Sequence, residues 1–227
     1  AVSQATKTDI VRLLGYPSYM VHVVHEALPN EFLVTANSVT EEIEAGVLQQ
    51  LELNKPYILF VGTQEPRKNL ANLISAWQPL AQEYELIIAG AAGWDNSQKI
   101  ALPHKPRFLG QVTDRQLSVL YANAQAFAYP SLYEGFGLPI LESFHHGTPV
   151  VTSNNSGMAE VAGNAAELVD PQDVKSITQG LITVLNETQQ QQQKRLQRMI
   201  IRQQMFNWGT AARETVAVYK QAINDFT

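Results

Sequence analysis

Short apolar segments alternate with longer segments of helical period along this chain, and this alternation most constrains its fold. From residue 56 onward, six segments have the near-continuous apolar character of strands that are buried on both faces of a parallel sheet. The six segments are residues 57–61, 84–89, 107–109, 125–128, 149–152 and 167–169. Helices are predicted between them, beginning near Asn69, Thr113, Pro139, Gly157 and Pro171. Strand and helix in this repeated order predict an α/β fold with a doubly wound parallel sheet.

The two ends of the chain fall outside this alternation. Near the N-terminus we predict a helix over residues 8–14 and a strand over residues 21–24, and we interpret residues 26–55 as a connection. Near the C-terminus a glutamine run opens a polar helix over residues 189–206, which we interpret as an exposed face. A last amphipathic helix is predicted over residues 208–226.

Composition excludes several classes of function. The 227 residues include 16 Lys and Arg against 21 Asp and Glu, a formal net charge of -5 that argues against nucleic-acid binding. The absence of cysteine excludes disulfides and thiolate metal sites. No segment approaches the ~20 apolar residues of a membrane span, and the first residues lack the apolar centre of a signal peptide. We therefore expect a soluble, intracellular protein.

The segment from Glu134 to Glu142 carries the candidate binding chemistry. Gly135 and Gly137 permit a tight turn and close approach of a ligand to the backbone, and Pro139 can open a helix. We expect Glu142 in the first turn of that helix. Amides at a helix N-terminus attract anions, and the two carboxylates accept hydrogen bonds. Together they suit a ligand that carries phosphate and hydroxyl groups, such as a sugar nucleotide.

Other candidate residues also follow predicted strands, at the edge where an open parallel sheet binds its ligands. Arg67 and Lys68 follow Gly62 in the first such loop and are suited to neutralise a diphosphate. Taken alone, this pair is more typical of a solvated helix start. The small-residue loop 90–94 is a candidate cover for a ligand, and backbone groups at Gly110 are candidates for reading a base edge.

Several further residues are given structural interpretations. Four histidines lack the spacing of a metal site: His22, His25, His145 and His146. Glu160 is interpreted as ordering the loop after Thr152 rather than contacting a ligand. Trp94 and Phe136 remain open alternatives as stacking platforms for a sugar or a base.

Five segments form a set of motifs whose order and spacing can be compared with known families: Gly62-Thr63-x-Glu65-Pro66-Arg67-Lys68-Asn69, Phe108-Leu109-Gly110, and residues 130–142, 157–163 and 168–171. Together these motifs resemble the retaining glycosyltransferases of family 4, the glycosyl transferases group 1. The resemblance covers the whole chain, but only as the second half of such an enzyme. It implies one Rossmann-like half of a GT-B fold with extra N- and C-terminal helices, the half that holds the donor.

The resemblance also assigns roles. Glu142 would accept hydrogen bonds from the donor ribose, and Glu134 would hold hydroxyls of the transferred sugar. Arg67 and Lys68 would bind the diphosphate, so the catalytic residues would be Arg67, Lys68 and Glu134. Donor-binding residues would be Gly62, Thr63, Arg67, Lys68, Leu109, Gly110, Glu134, Gly135, Phe136, Gly137, Leu138 and Glu142. Many family members have Arg at the position of Thr63. The donor phosphate would act as the base, so no cofactor and no metal are expected.

The resemblance divides the chain into three parts. Residues 1–55 would be a remnant of the acceptor domain with its linker, residues 56–205 the donor domain, and residues 206–227 a helix that packs back on the acceptor domain. The expected function is transfer of a hexose from a UDP-, GDP- or ADP-sugar to a glycan or lipid-linked acceptor. The alternative is a nucleotide-sugar-binding module that is inactive because its acceptor domain is missing.

The resemblance also implies a location, and the sequence argues against two other classes of enzyme. A cytoplasmic protein is expected, with peripheral contact to the inner face of the membrane through the missing domain. A glycan phosphorylase would need a pyridoxal-phosphate lysine in a suitable pocket sequence, which is not evident. A dehydrogenase is disfavoured because the G-x-G-x-x-G turn is missing.

Overall fold

The computed structural model of the protein describes residues 1–94 and 103–225. Its centre is a six-stranded sheet in which all strand pairs are parallel, in the order β3-β2-β1-β4-β5-β6. The strands are β1 (Tyr57–Val61), β2 (Glu85–Ala89), β3 (Arg107–Gly110), β4 (Ala126–Tyr129), β5 (Val150–Ser153) and β6 (Glu167–Val169). Each lies within one residue of the segment predicted from its apolar character. The predicted fold class is confirmed.

Strand order reverses between β1 and β4, and this point fixes where the loops meet. From β1 the chain builds the sheet outward to β2 and β3, and it then returns to add β4 on the other side of β1. Ile58 of β1 pairs with both Leu86 of β2 and Ala126 of β4. A crevice opens at such a switch point, beyond the carboxyl ends of the strands. The loops that follow β1 and β4 therefore face each other there.

In the described part of the chain, ten α-helices surround the sheet: α1 (Gln4–Leu14), α2 (Asn30–Asn37), α3 (Glu41–Gln50), α4 (Leu70–Trp77), α5 (Asp114–Asn123), α6 (Leu138–His145), α7 (Ser156–Ala162), α8 (Val174–Leu185), α9 (Gln189–Gln204) and α10 (Trp208–Asp225). Helices α4 and α8 pack together, and α6 packs against both α5 and α7. A second layer covers the latter group, with α2 and α3 on α5, α9 on α6, and α1 on α7. The apolar core lies between the sheet and these helices.

The prediction of a strand over residues 21–24 is wrong. This segment is extended but does not join the sheet. Its backbone pairs with the first residue of the chain: the Val24 amide donates to the Ala1 carbonyl at 2.9 Å, and the Ala1 amine donates to the His22 carbonyl at 2.8 Å. Alternating polarity here reflects a half-buried segment on the surface rather than a sheet strand.

Residues 26–55, predicted to be a connection, contain the helices α2 and α3. Helix α3 begins with a side-chain cap, since the Thr40 hydroxyl accepts a hydrogen bond from the Ile43 amide, and three acidic residues follow in its first turn. Each helix has one buried residue, Phe32 in α2 and Val47 in α3. So little burial gives no clear apolar face from which to predict these helices, which are stabilised by packing on α5.

The terminal helices extend the predicted segments. Helix α1 begins at Gln4, earlier than predicted, because Ser3 caps it, and it ends at Gly15 with a φ of +72°. The polar helix α9 and the last helix α10 are both present. Phe226, the predicted last residue of α10, lies outside the described residues. Within residues 1–94 and 103–225, no helix combines the length and apolar character needed to cross a membrane.

Candidate functional site

The loops that follow β1 and β4 meet in a cluster of charged side chains. Glu134 Oε1 lies 2.8 Å from Lys68 Nζ, and Glu134 Oε2 lies 2.6 Å from the Arg67 guanidinium. The Tyr129 hydroxyl, at the end of β4, donates to Glu134 Oε1 at 3.0 Å and accepts from Lys68 Nζ at 2.5 Å. The structure thus brings together the three residues predicted to be catalytic and adds Tyr129, which lies just beyond the predicted strand 125–128 and was not predicted to be a site residue.

Backbone geometry holds the two cations in place. Residues Pro66–Lys68 form a 3₁₀ turn that ends at Asn69, which has a left-handed φ of +59°. The Asn69 side chain does not cap helix α4. It donates instead to the carbonyls of Pro130, at 2.9 Å, and Pro171, at 2.7 Å. Asn69 therefore ties the loop after β1 to the end of β4.

Arg67 has two further partners. Its guanidinium donates to the Tyr133 carbonyl at 3.0 Å and lies 3.3 Å from a carboxylate oxygen of Glu65. Its side chain is 42% exposed, whereas those of Lys68 and Glu134 are 12% and 13% exposed. Arg67 is thus the cation of the pair that solvent, or a ligand in the crevice, reaches most easily.

Charge pairing sets the ionisation state of the cluster. Burial opposes ionisation of Glu134, but hydrogen bonds and charge from Lys68 and Arg67 outweigh it and hold the pKa of Glu134 below its ordinary value. Burial also opposes the charge of Arg67, yet Glu134 and Glu65 raise the pKa of Arg67 above its usual range. Burial and the Glu134 carboxylate raise the pKa of Tyr129, which keeps its proton. The site therefore presents Arg67 and Lys68 around the ionised Glu134 carboxylate, with a second carboxylate, that of Glu65, beside Arg67.

The glycine turn between Glu134 and α6 leaves backbone donors unused. Gly137 precedes the helix with a φ of +126°, a conformation that favours glycine. Among the described residues, the amides of Gly135, Phe136, Gly137 and Leu138 donate no hydrogen bond to the protein. Free amides at the N-terminus of α6 provide hydrogen-bond donors for an anion or a hydroxyl.

The Phe136 side chain does not point into this crevice. It is 4% exposed, and its ring centroid lies 6.1 Å from that of His25 and 5.5 Å from that of Phe206. A stacking role for this ring does not fit its burial, so only the backbone of Phe136 can meet a ligand. Trp94, the other candidate platform, is 69% exposed.

Glu142 lies apart from the charged cluster. Helix α6 begins at Leu138, so Glu142 is in its second turn, and the prediction of the first turn was wrong by one turn. Its carboxylate accepts a hydrogen bond from the Tyr121 hydroxyl at 2.8 Å. Burial raises the pKa of Glu142; the Tyr121 hydroxyl opposes this rise, and the charge of Asp114 adds to it. Within the described part of the chain, Glu142 has no ion pair with Arg67 or Lys68.

An aromatic row links the two glutamates. Tyr121, which binds Glu142, and Tyr129, which binds Glu134, both contact the ring of Phe127, with centroid distances of 5.2 and 5.6 Å. Both tyrosines are buried. The sequence does not predict their contacts with the glutamates, because a tyrosine in an apolar segment gives no sign of where its hydroxyl points.

The remaining predicted binding residues lie along the same edge of the sheet. Gly62 follows β1 with a φ of +149°, and a Cβ added at Gly90 would lie 2.2 Å from the Gly62 carbonyl oxygen, so the two loops pack too closely for a side chain. Next to them, the Gly90 amide donates to the Gly110 carbonyl at 2.8 Å, and Leu109 and Gly110 end the edge strand β3. Thr63 is half-buried beside Gly62.

Glu160 has a structural role that differs from the one predicted. Its carboxylate accepts hydrogen bonds from the amides of Gln4 and Ala5 at the start of α1, the shortest at 2.8 Å, and from His25 at 2.8 Å. It therefore anchors the N-terminal segment rather than the loop after Thr152. No group of three or more His, Asp or Glu side chains in residues 1–94 and 103–225 is arranged to hold a metal ion.

Comparison with known proteins identifies the family. The family model described as Glycosyl transferases group 1 matches residues 47–203. The chain belongs to the group 1 glycosyltransferases. The predicted resemblance to the glycosyl transferases group 1 is thereby confirmed. This group 1 glycosyltransferase chain is 35% identical over 230 residues to the O-antigen chain mannosyltransferase B of Escherichia coli. The match covers 96% of this chain and 59% of that protein.

Solved structures show the same fold at lower identity. A glycosyltransferase from Rickettsia africae matches with a TM-score of 0.85 at 18% identity, over 98% of this chain and 62% of its own. Anabaena HepE, crystallised with UDP and glucose, matches with a TM-score of 0.80 at 21% identity, over 97% of this chain and 62% of its own. This group 1 chain thus spans about three fifths of the length of such relatives. The predicted half of a GT-B fold is confirmed.

Proposed function

We propose that this chain is the donor-binding half of a retaining hexosyltransferase that uses a nucleotide sugar. The observation that carries the proposal is the meeting of Arg67, Lys68 and Glu134 at the switch point of the sheet, beside the free amides before α6. A diphosphate needs cations and amide donors, and a sugar needs hydrogen-bond acceptors. This crevice supplies both.

The proposed mechanism divides the donor between these groups. Cleavage of the bond between sugar and phosphate leaves negative charge on the departing nucleotide, which Arg67 and Lys68 stabilise without a metal or a cofactor. Glu134 and the amides of residues 135–138 hold hydroxyls of the sugar, which develops positive charge in the transition state. Glu142 accepts from the ribose. The donor phosphate serves as the base, so retention of configuration needs no protein nucleophile.

Relatives support a narrower substrate class. The most informative is the Escherichia coli mannosyltransferase, and the relative crystallised with UDP and glucose supports a nucleoside diphosphate. We propose mannose as the transferred hexose, with GDP-mannose as the first donor to test and UDP- and ADP-sugars as the alternatives. The acceptor is proposed to be a growing glycan or a lipid-linked sugar. The proposed location is the cytoplasm, at the inner membrane face for a lipid acceptor.

The test is a titration of the purified chain with GDP-mannose, UDP-glucose and ADP-glucose, followed by an assay of sugar transfer. Binding and transfer support the enzyme. Binding without transfer supports the alternative, a nucleotide-sugar-binding module that is inactive by itself, with residues 1–55, 56–205 and 206–227 in the roles predicted above. A chain that binds no nucleotide or nucleotide sugar contradicts both proposals.

A further inference from the structure

Helix α1 contacts the proposed donor-binding loop although more than 120 residues separate them in sequence. The Ser3 hydroxyl lies 2.6 Å from the Gly135 carbonyl oxygen, and the Thr6 hydroxyl lies 3.1 Å from the same oxygen. Ser3 is completely buried, and Thr6 is half-buried. One backbone carbonyl of the loop is therefore held by two hydroxyl donors from another element.

Holding this carbonyl fixes the next amide. The peptide bond between Gly135 and Phe136 is planar and trans, so its N–H points opposite to its carbonyl. With the Gly135 oxygen turned toward α1, the Phe136 N–H is turned away from α1. That amide is one of those left without an acceptor among the described residues.

The other side of this peptide is also closed. A Cβ added at Gly157 would lie 2.4 Å from the Gly135 oxygen and 2.7 Å from the Phe136 nitrogen. The Gly157 amide itself donates to the Glu134 carbonyl at 3.0 Å. The backbone of α7 thus packs directly on the peptide and, together with the two hydroxyls, leaves it no room to rotate.

A second contact from α1 leads to the cations. The Tyr133 hydroxyl donates to Asp9 Oδ2 at 2.8 Å, and the Tyr133 carbonyl accepts from the Arg67 guanidinium. Helix α1 is itself anchored through Glu160, which caps its N-terminus. The helix is therefore tied to both halves of the proposed site, the amide turn and Arg67.

We infer that Ser3 and Thr6 are positioning residues that set the direction of the Gly135–Phe136 peptide for donor binding. The inference rests on the proposed function, because the amide that they orient is one proposed to contact the sugar. Without their hydroxyls the carbonyl loses its partners, the peptide samples other orientations, and the Phe136 amide no longer meets the sugar consistently.

The test compares Thr6→Val, the double variant Ser3→Ala/Thr6→Val, and the control Thr8→Val. The Thr8 hydroxyl is exposed and donates within α1 to the Gln4 carbonyl at 2.9 Å, so Thr8→Val is the control for the Thr-to-Val change within the helix. The double variant also removes the Ser3 cap of α1, so Thr6→Val, which keeps that cap, is measured beside it. Titration calorimetry measures binding of GDP-mannose and of GDP, or of UDP-glucose and UDP if the unaltered chain prefers that pair.

We expect Thr6→Val to weaken binding of the nucleotide sugar about fivefold and the double variant about tenfold, while the free nucleotide changes less than about twofold. Thr6→Ser, which keeps the hydroxyl, should restore affinity, and Thr8→Val should leave both affinities unchanged. Equal weakening of both ligands, or an unchanged nucleotide-sugar affinity in the double variant, would overturn the inference alone. If the unaltered chain binds no nucleotide sugar, the proposed function fails as well.

Discussion

Lys68 Nζ lies 2.8 Å from Glu134 Oε1, and this contact joins the loop after β1 to the loop after β4. Both side chains are largely buried, and Arg67 contacts the second oxygen of the same carboxylate. In this structure the Glu134 carboxylate is paired with both of the cations that we propose as the binding groups for the diphosphate. Donor binding must therefore redistribute these contacts rather than create a charged site from isolated groups.

Glu134→Gln tests this redistribution. The amide keeps the shape of the side chain but removes the charge that competes for Arg67 and Lys68. We expect affinity for free GDP or UDP to stay the same or rise about threefold, while affinity for the corresponding nucleotide sugar falls about tenfold because a sugar acceptor is lost. Titration calorimetry measures both. Glu65→Gln, which removes the other carboxylate beside Arg67, is the control and should spare the sugar. Equal losses for nucleotide and nucleotide sugar in Glu134→Gln would contradict the assigned role.

Glu142→Gln should separate binding from stability. Burial raises the pKa of Glu142, so its charged form is disfavoured by folding, and this cost is greatest above the folded pKa and declines as the pH falls through it. The substituted amide can still accept from Tyr121. We expect an unchanged or higher free energy of unfolding at pH 7 and nucleotide affinity lower by about fivefold. Urea denaturation and calorimetry check the two values; a loss of stability with normal nucleotide binding would refute this assignment.

His146 should make the fold sensitive to mild acid. It stacks on Tyr121 with a centroid distance of 5.9 Å, and burial, with the charge of His145, lowers the pKa of His146 from 6.5 to about 4. A histidine with a depressed folded pKa contributes stability that is present above pH 6.5 and is lost as the pH falls toward 4. His146→Phe keeps the stacking and removes the titration. Its free energy of unfolding should fall less than that of the unaltered chain between pH 6.5 and 5, where Glu134 is still ionised. If the free energy of unfolding falls equally with pH in His146→Phe and in the unaltered chain, His146 does not titrate in this way.

Gly90 should be essential to the packing of the sheet edge. An alanine there would place its Cβ 2.2 Å from the Gly62 carbonyl oxygen at a φ of +143°. We expect Gly90→Ala to lower the free energy of unfolding by about 2 kcal/mol or more. Gly46→Ala, within helix α3 where an added Cβ meets nothing within 4 Å, should instead raise it by about 0.5–1 kcal/mol. Similar effects from the two substitutions would contradict the close approach of the loops.

The sheet could be predicted because each strand is buried and so requires a continuous apolar segment. Arg67, Lys68 and Glu134 could be placed near each other because residues that follow parallel strands lie at one edge. Helices α2 and α3 could not be predicted, since each is short, buries a single residue and is stabilised by contact with α5. The segment over residues 21–24 has strand-like composition but does not join the sheet, and its backbone hydrogen-bonds to the first residue of the chain.

The hydrogen-bond partners of the site residues also could not be predicted from the sequence. Tyr121 and Tyr129 direct their hydroxyls to the two glutamates, and Ser3 and Thr6 reach Gly135 from another helix. These contacts depend on tertiary packing between distant segments, which leaves no local pattern. The anchoring of α1 by Glu160 was missed for the same reason.

The central claim is that the cluster of Arg67, Lys68 and Glu134 holds the donor. Titration of the unaltered chain and of a variant without Arg67 and Lys68 with nucleotide sugars tests this claim most directly. We predict that Arg67→Ala/Lys68→Ala weakens binding of GDP-mannose, or of UDP-glucose if that is the preferred donor, by at least about a hundredfold. Binding to the unaltered chain should also weaken with added salt. The matched control Lys194→Ala/Arg198→Ala, which removes two exposed cations of α9, should bind normally. Equal affinities for the unaltered chain and the Arg67→Ala/Lys68→Ala variant would contradict the claim that this cluster holds the donor.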